Sequence, residues 1–574
     1  MELSSVVHYM NESFAYKLNN HEYLIKLKTK RNAFDKVTLR YLEKYFREMN
    51  VKNHQVYSKE MTKVAVTNLH DYYEVIIDDR FEFNNNEMIM LAIRYCFLLE
   101  KDGEKIYYGN YKFFNEEPYD TIDFFNLVIH QADCSYFDVP EWSKGAVVYQ
   151  IFPERFAPTN DNYSSNWLTC YKEKNGRSNG TLLGIAEKID YLKELGIDAI
   201  YLNPIFLANT SHRYDTVDYL KVDPLLGDEK DLKKLVDTCH KNNIKVILDL
   251  VFNHTSTYFF AFEDILKNQE KSKYKDWYLI RKFPVSRTQQ PPNYMSFSFG
   301  AFMPKLNTDN PECRKYLIDV AKHYVINFDV DGYRLDVADE VTHSFWKEMR
   351  KEVKQIKKDC LIMGEVWYES TPYLRGDEFD SVMNYTIYDS IRKFLKEEIN
   401  QEKFIDMISR ERGETEINYY HSSNILIGSH DTNRIFNAVN FDENKFNLAM
   451  ALLLFLPGSP IIYYGDEIMF DGDNPGEARR GMIFDADYKK ETKEMVKKLI
   501  ALKHQPVIKI GDISFDQSED GLLVINRFIG EEKIMMIVCL DEEKDLSKFY
   551  GRYDLINQTN FKKKLKKYEF VILK

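Results

Sequence analysis

Four segments bring carboxylates to the ends of apolar, strand-like runs: VILDLVFNH (246–254), GYRLDV (332–337), LIMGEVW (361–367) and GSHDTNR (428–434). The runs stop at Asp249, Asp336, Glu365 and the His430-Asp431 pair. One such ending is an ordinary cap or ion pair. Four in order, with helical stretches between them, describe an active site, because catalytic groups of a parallel α/β barrel collect at the C-terminal ends of its strands.

Two carboxyl groups on neighbouring strands can break a glycosidic bond with retention. One attacks as an anion while the other, kept protonated, donates to the leaving oxygen, and the two lie ~5–5.5 Å apart. Arg334 precedes Asp336 by two residues and shares its strand face. A fixed positive charge there is expected to keep Asp336 ionised and nucleophilic. Glu365 is followed by Val366 and Trp367, an apolar setting that raises a glutamate pKa toward the role of an acid. Asp431 can accept hydrogen bonds from sugar hydroxyls as an oxocarbenium-like transition state forms.

Strand–helix alternation over residues 145–500 supplies the frame. Eight strand candidates follow one another: AVVYQIF (146–152), DAIYLNP (198–204), KVILDLV (245–251), DGYRLDV (331–337), LIMGEV (361–366), FDSVMNY (379–385), NILIGSH (424–430) and SPIIYYG (459–465). Helical spacing separates them, as in Leu232, Leu235, Val236 and Cys239. Another helix is expected to start at Asn310-Pro311, with Asn as N-cap and Pro at N1. The fold class is therefore α/β, a (β/α)8 TIM barrel over 136–500. A loop domain (255–307), with little periodicity, follows the third strand and is expected to cross the barrel mouth. Short alternating runs in 1–135 and 505–574 predict flanking β-sandwich domains. Within the first, VTLRYLEKYFREMN (37–50) reads as a helical turn, and FDVPEW (137–142) as the linker that closes it.

Composition excludes several functions. A net charge of −12 argues against nucleic acid, whose binding needs basic patches. FKKKLKKYEF (561–570) reads as a terminal strand with a solvated lysine face. The 7 cysteines are scattered without a CxxC pair, so neither a zinc site nor a disulfide framework is expected. The opening MELSSVVHYMNESF has no basic segment followed by an apolar stretch, and no run approaches the ~20 apolar residues of a membrane span. The expected compartment is the cytoplasm, with no membrane partner. Aromatic residues make up 14% of the chain, which suits sugar stacking and large cores alike.

The order DLVFNH, GYRLDVADE, GEVW and SHD resembles the four signature regions of the α-amylase superfamily of retaining glycoside hydrolases. VYQIFPERF (148–156), YDTVDY (214–219) and GSPIIYYGDE (458–467) extend the likeness. MPKLN (303–307) resembles the signature of the neopullulanase, cyclomaltodextrinase and maltogenic amylase group, whereas relatives that cleave α-1,6 bonds in short oligosaccharides tend to carry MPDLN. The resemblance implies Asp336 as nucleophile, Glu365 as general acid/base and Asp431 as transition-state stabiliser. It implies that Arg334, His254 and His430 contact the sugar, that Tyr214 stacks on it with His212 nearby, and that Asp249 and Asn253 shape the floor. Trp367 becomes an acceptor-side platform, and Arg479 closes the sugar-binding end. The implied substrate is an α-glucan oligosaccharide, cyclodextrin or pullulan cleaved at α-1,4 bonds, with some α-1,6 cleavage and transglycosylation. In this group the N-terminal domain of one subunit often covers its partner's active site, so a homodimer is expected.

Three departures qualify this. Relatives often hold calcium with NGDxxND and GGDL-like segments, where this chain reads APTNDNYSSN (157–166) and SNGTLLG (178–184). Thr181 stands where a ligand Asp is expected and Asp161 is the one carboxylate left. No cofactor is therefore required, and the usual calcium site is expected to be degraded. Asp339 replaces the Asn common in VANE, at the acceptor side. The helical turn expected in the N-terminal segment also departs from a sugar-binding module. A related glucan transferase or isomerase, and a non-catalytic glucan-binding protein on the same scaffold, are the alternative functions. The intact trio Asp336, Glu365 and Asp431 argues against the last.

Overall fold

A computed structural model describes residues 2–10, 12–45, 56–83, 86–128, 138–173, 176–485, 487–516 and 521–574. The chain divides into two compact units, one of residues 1–138 with 400–420 and one of 139–399 with 421–574.

The first unit holds two antiparallel sheets. Ala15–Lys17, Glu22–Lys30, His70–Asp78 and Thr62–Val66 form one, and Glu104–Gly109, Ala92–Lys101, Lys36–Glu43 and Tyr57–Glu60 run through the other. Alternate residues of both, among them Tyr23, Ile25, Leu27, Leu39, Tyr95 and Phe97, share one core, which makes a sandwich. The helical turn expected from residue 37 is instead the strand Lys36–Glu43, paired along its length with Ala92–Lys101. Val37, Leu39 and Tyr41 alternate into the core, and period-two burial outweighs the helix propensity of the charged residues between them. Residues 46–50 of that expected turn, like Phe137 of the expected linker, lie outside the described residues. The helix Gln401–Glu414 belongs to this unit although barrel elements flank it in sequence. Arg412 grips Glu74 bidentately at 2.7 and 2.8 Å, and at Gly413 a Cβ would come within 2.5 Å of the Tyr72 ring.

In the second unit eight parallel strands close into a barrel: β1 (Val148–Ile151), β2 (Ala199–Leu202), β3 (Lys245–Leu250), β4 (Gly332–Leu335), β5 (Leu361–Val366), β6 (Ser381–Asn384), β7 (Asn424–Leu426) and β8 (Ser459–Tyr463). Each lies within one of the eight predicted runs. The runs are almost continuously apolar because both faces of each strand are buried, and Val148, Tyr201, Ile247, Met363, Met383 and Ile461 fill the core. Helix Glu229–Lys241 starts in a capping box between Asp228 and Asp231 and buries Leu232, Leu235, Val236 and Cys239. Helix Pro311–Phe328 begins as expected, with Asn310 Oδ1 accepting the Glu312 and Cys313 N–H groups.

Two connections differ from the sequence reading. Between β5 and β6 the described residues hold a single 3-10 turn, Thr371–Tyr373, in place of a crossover helix; Pro372 and Gly376 interrupt any helix there. The excursion after β3 contains a helix, Phe260–Asn268, and returns through isolated bridges, among them Ser296 to Pro304 and His254 to Lys305.

Beyond the barrel, Asp512–Asp516, Leu522–Ile529, Glu532–Cys539 and Phe570–Leu573 lead a six-stranded sheet, and Glu543–Asp545 pairs with Lys564–Lys566. Leu565 is buried between exposed Lys564 and Lys566, as the solvated lysine face requires. The cysteines at 96, 170, 239, 313, 360 and 539 are buried thiols outside any disulfide; Cys134 lies outside the described residues. Among the described residues, no helix is long and apolar enough to cross a membrane.

Candidate active site

Register places the charges. Asp249 on β3 lies opposite Arg334 on β4, and Arg334 lies opposite Met363, two residues before Glu365 on β5. Arg334 is wholly buried. Its Nη1 donates to both oxygens of Asp249 at 3.0 Å and to Asp336 Oδ1 at 2.9 Å, while its Nη2 pairs with Glu365 Oε1 at 2.6 Å. Arg334 therefore does not single out Asp336, as sequence reasoning expected; one guanidinium is divided among three carboxylates. Burial pushes the pKa values of Asp336 and Glu365 above the ordinary carboxylate range, and Arg334 opposes the rise in both. The pair thus holds a proton more tightly than free carboxylates do.

The turn leaving β4 adds a contact that residue types alone did not reveal. Val337 adopts a left-handed conformation, φ 44° and ψ 48°, which is rare for a β-branched residue. In it, the Val337 N–H donates to Glu365 Oε2 at 3.0 Å. Asp336 is tied at the same point, its own N–H donating to Leu250 O at 3.0 Å.

Asp431 faces this pair from beyond β7. His430 Nε2 lies 3.0 Å from its Oδ2, and Arg479, from the segment after β8, holds its Oδ1 at 3.1 Å. Burial pushes the Asp431 carboxyl up, but the His430 ring N–H and the Arg479 guanidinium outweigh it and keep the pKa well below the usual range. Arg479 Nε also donates to the His430 carbonyl at 2.9 Å. Tyr214 stacks parallel to the His430 ring, with centroids 5.3 Å apart, and its hydroxyl reaches Asp249 Oδ2 at 2.9 Å. His212 accepts the Tyr214 N–H at 3.1 Å, and burial with Arg479 nearby lowers its pKa to about 4, so it is neutral at neutral pH.

These groups line one cleft of about 760 Å³. His212, Tyr214, His254, Asp336, Glu365, Trp367, Asp431 and Arg479 all face it; Arg334 and His430 are buried behind. Asp249 and Asn253 are buried beneath, where they brace their neighbours. His254 stacks on Phe297 of the excursion at 5.0 Å, and its Nε2 is buried without a hydrogen-bond partner. Burial pushes its pKa down to about 3. Trp367 lies flat on Tyr385 at 3.7 Å and remains 42% exposed.

Sequence reasoning missed part of the wall. Phe297, Met303, Tyr368 and Tyr373 complete the cleft, the first two from the aperiodic excursion and the others from the helix-free β5–β6 connection. Asp339 and Glu340 form its polar rim. Lys305 of MPKLN reaches that rim, donating to the Glu340 carbonyl at 2.8 Å and its carboxylate at 3.2 Å, and to Asn253 Oδ1. A run of aromatic residues just beyond Glu365, WYESTPY, was the available signal.

The residues aligned with the family's calcium site do not fit that ion. Asp161 Oδ1 pairs with Lys188 Nζ at 2.6 Å and accepts the Tyr163 hydroxyl at 3.0 Å. Thr181 Oγ1 caps a helix by accepting the Gly184 N–H and contacts Thr159 Oγ1 at 2.7 Å. A fixed ammonium already neutralises the one carboxylate, whereas calcium takes 6–8 oxygens.

Comparison with known proteins identifies the family. The family description "Alpha amylase, catalytic domain" matches residues 150–510, and "Alpha amylase, N-terminal ig-like domain" matches residues 1–130. A cyclomaltodextrinase of Geobacillus thermopakistaniensis is 39% identical over 95% of this chain and 92% of its own. A maltogenic alpha-amylase of Bacillus acidopullulyticus is 37% identical over 97% and 94%. A solved cyclomaltodextrinase structure superposes with a TM-score of 0.88 at 32% identity, covering 100% of both chains. With an eight-stranded barrel, paired carboxylates at its mouth and full-length likeness to these enzymes, the chain belongs to the α-amylase family and is a glycoside hydrolase of the neopullulanase, cyclomaltodextrinase and maltogenic amylase group.

Proposed function

We propose that the chain is a retaining α-glucan hydrolase that cleaves α-1,4 bonds in cyclodextrins, maltooligosaccharides or pullulan. One observation carries the reading: a single guanidinium, Arg334, contacts Asp336 through one nitrogen and Glu365 through the other. Such a bridge keeps two carboxyl groups close, which suits the ~5–5.5 Å of a retaining pair over the ~6.5–9.5 Å of an inverting one.

In this reading Asp336 attacks the anomeric carbon and forms a covalent glycosyl-enzyme. Glu365 gives its proton to the leaving oxygen, then takes one from the incoming water. Asp431, ionised by His430 and Arg479, accepts hydrogen bonds from sugar hydroxyls as positive charge develops on the ring. Tyr214 and His254 bind the donor sugar, with Phe297 stacked on the latter. Trp367, Tyr368 and Tyr373 offer aromatic faces to an acceptor. A sugar there in place of water gives transglycosylation, and some α-1,6 bonds are cleaved beside the α-1,4 ones. Relatives named cyclomaltodextrinase and neopullulanase, matched over 95% and 88% of this chain, support the substrate class. The same reading includes a cytoplasmic homodimer that needs no metal; a relative named intracellular maltogenic amylase, from Bacillus subtilis, is 34% identical over 98% of the chain.

The test is release of reducing sugar from cyclodextrin, pullulan and soluble starch by wild type. Activity on cyclodextrin or pullulan at least equal to that on starch is expected. No release from any of the three would overturn the reading and favour a binding protein; longer glucans as the dominant product would favour a transferase.

A further inference from the structure

Behind the cleft a chain of hydrogen bonds runs between two carboxylates, and its two ends fix every proton along it. An ionised carboxylate only accepts. At one end, Asp431 Oδ2 lies 3.0 Å from His430 Nε2, so that nitrogen carries a proton. At the other, Asp249 Oδ2 accepts the hydroxyls of Tyr201 at 2.7 Å and Tyr214 at 2.9 Å. Their hydrogens committed, both hydroxyls turn lone pairs toward Asn203, whose Nδ2 lies 3.0 Å from Tyr214 and 3.4 Å from Tyr201. The Asn203 carbonyl must then point the other way, and it accepts Gln150 Nε2 at 3.1 Å.

That same Gln150 nitrogen lies 2.8 Å from His430 Nδ1. Gln150 is a fully buried amide on the otherwise apolar strand β1, and its Oε1 is buried with no partner. A buried carbonyl left unpaired is costly. Turning the amide over would set its oxygen against the Asn203 oxygen and demand a second proton on the imidazole. The neighbours thus hold the amide with its nitrogen toward His430.

We infer that Gln150 is a positioning residue for the hydrolysis. By donating to Nδ1 it keeps His430 neutral, in the Nε2–H tautomer, with its single ring N–H directed at Asp431 and the Tyr214 hydroxyl. The titratable and charged groups facing His430 are then Asp431 on one side and Arg479, bonded to its carbonyl, on the other, with Tyr214 stacked on the ring and Glu365 and His212 within electrostatic reach. A second proton on the ring would change the charge beside Asp431, whose role in stabilising the developing cation depends on its own negative charge. The inference rests on the proposed role of Asp431 but not on which glucan is cleaved.

The test is nitrogen NMR of the full chain labelled with 15N-histidine, with the His430 signals identified by their loss in His430→Gln. In wild type, Nδ1 is expected to be unprotonated and Nε2 protonated. Gln150→Glu, which places an acceptor at the same point, is expected to protonate both nitrogens and to alter the kcat/KM pH profile. Gln150→Leu, which removes the donor, is expected to leave Nε2 protonated beside Asp431 but Nδ1 open to a second proton, and to lower kcat/KM about tenfold, the worth of one oriented hydrogen bond. A wild-type Nδ1 that carries the proton would overturn the inference even if neither variant folded. So would a folded Gln150→Leu whose Nδ1 stays as unprotonated as in wild type and whose pH profile is unchanged. The ring signals are read without substrate, so a failed glucan assay leaves this result interpretable.

Discussion

Val337 donates its backbone N–H to Glu365 Oε2 across 3.0 Å from a left-handed conformation. Backbone strain of this kind persists only where the surrounding structure over-determines it. Here the preceding residue is Asp336, bonded through its own N–H to β3, and the beneficiary is the other carboxyl group of the pair. The kink therefore fixes the two carboxyls relative to each other.

Val337→Gly keeps the N–H but frees the backbone. Relief of roughly 1–2 kcal/mol of left-handed strain offsets the ~0.5–1 kcal/mol that glycine costs in unfolded freedom, so stability by denaturant melting is expected to change little. Turnover is expected to fall several-fold, with a smaller change in KM, as Glu365 loses a rigid anchor. Unaltered kinetics in the folded variant would separate the strain from the reaction.

Asp336→Asn and Glu365→Gln are expected to lower kcat by about a thousandfold or more, as removal of a nucleophile or acid/base does. Both should still fold, because Arg334 retains two carboxylate partners in either variant. Circular dichroism and steady-state rates on cyclodextrin check this together. Substantial turnover by either variant would reassign the roles. Arg334→Met, by contrast, strands three carboxylates and is expected to destabilise the fold by about 3–5 kcal/mol, as loss of one partner from a buried ion pair does.

The raised pKa of Glu365, caused by burial against the pull of Arg334, makes a signed prediction. The protonated acid persists above the ordinary glutamate range near ~4.3, so kcat/KM is expected to decline on the alkaline side as pH rises through the raised value. Stability follows the same group. Below the unfolded pKa, Glu365 is neutral folded and unfolded, and its contribution is fully present; it is lost as pH rises through the folded pKa. Melting temperatures of Glu365→Gln and wild type should therefore diverge in favour of the variant over that window. Parallel curves would show that the pKa is not raised. Asp431 runs the other way: held low by His430 and Arg479 against its burial, it stabilises above the ordinary Asp pKa and loses that contribution as pH falls.

Chelation is expected to leave the protein unchanged. Lys188 Nζ already sits on Asp161, so melting temperatures in millimolar calcium and in EDTA should agree. A clear rise with calcium would locate an ion that these residues do not explain.

Much of this was legible from residues alone, for a physical reason. Strands buried on both faces write themselves as short apolar runs, and polar residues that end those runs, such as Asp336 and Glu365, stand out against them. The geometry between runs was not legible. Nothing in GYRLDV says that Arg334 divides its charge among Asp249, Asp336 and Glu365, because that depends on the register of three strands. The Val337 conformation is hidden for the same reason: valine gives no signal for a positive φ. Residues 37–43 read as helical because Arg, Leu and Glu are good helix formers, and only the Ala92–Lys101 partner decides otherwise. Phe297 and Tyr373 reach the cleft from segments without periodicity, where pattern carries no direction. Gln150 sat inside a recognised motif, yet its role lies in the proton count of its neighbours.

The covalent role of Asp336 is tested most directly by the configuration of the first product. Proton NMR of a fresh cyclodextrin or maltooligosaccharide digest reads the anomeric signal before mutarotation. If Asp336 attacks and Glu365 returns water from the same face, the α-anomer appears first and the β-anomer grows in later. A β-anomer that appears first would mean direct attack by water, and would contradict the covalent role of Asp336 and with it the close pair bridged by Arg334.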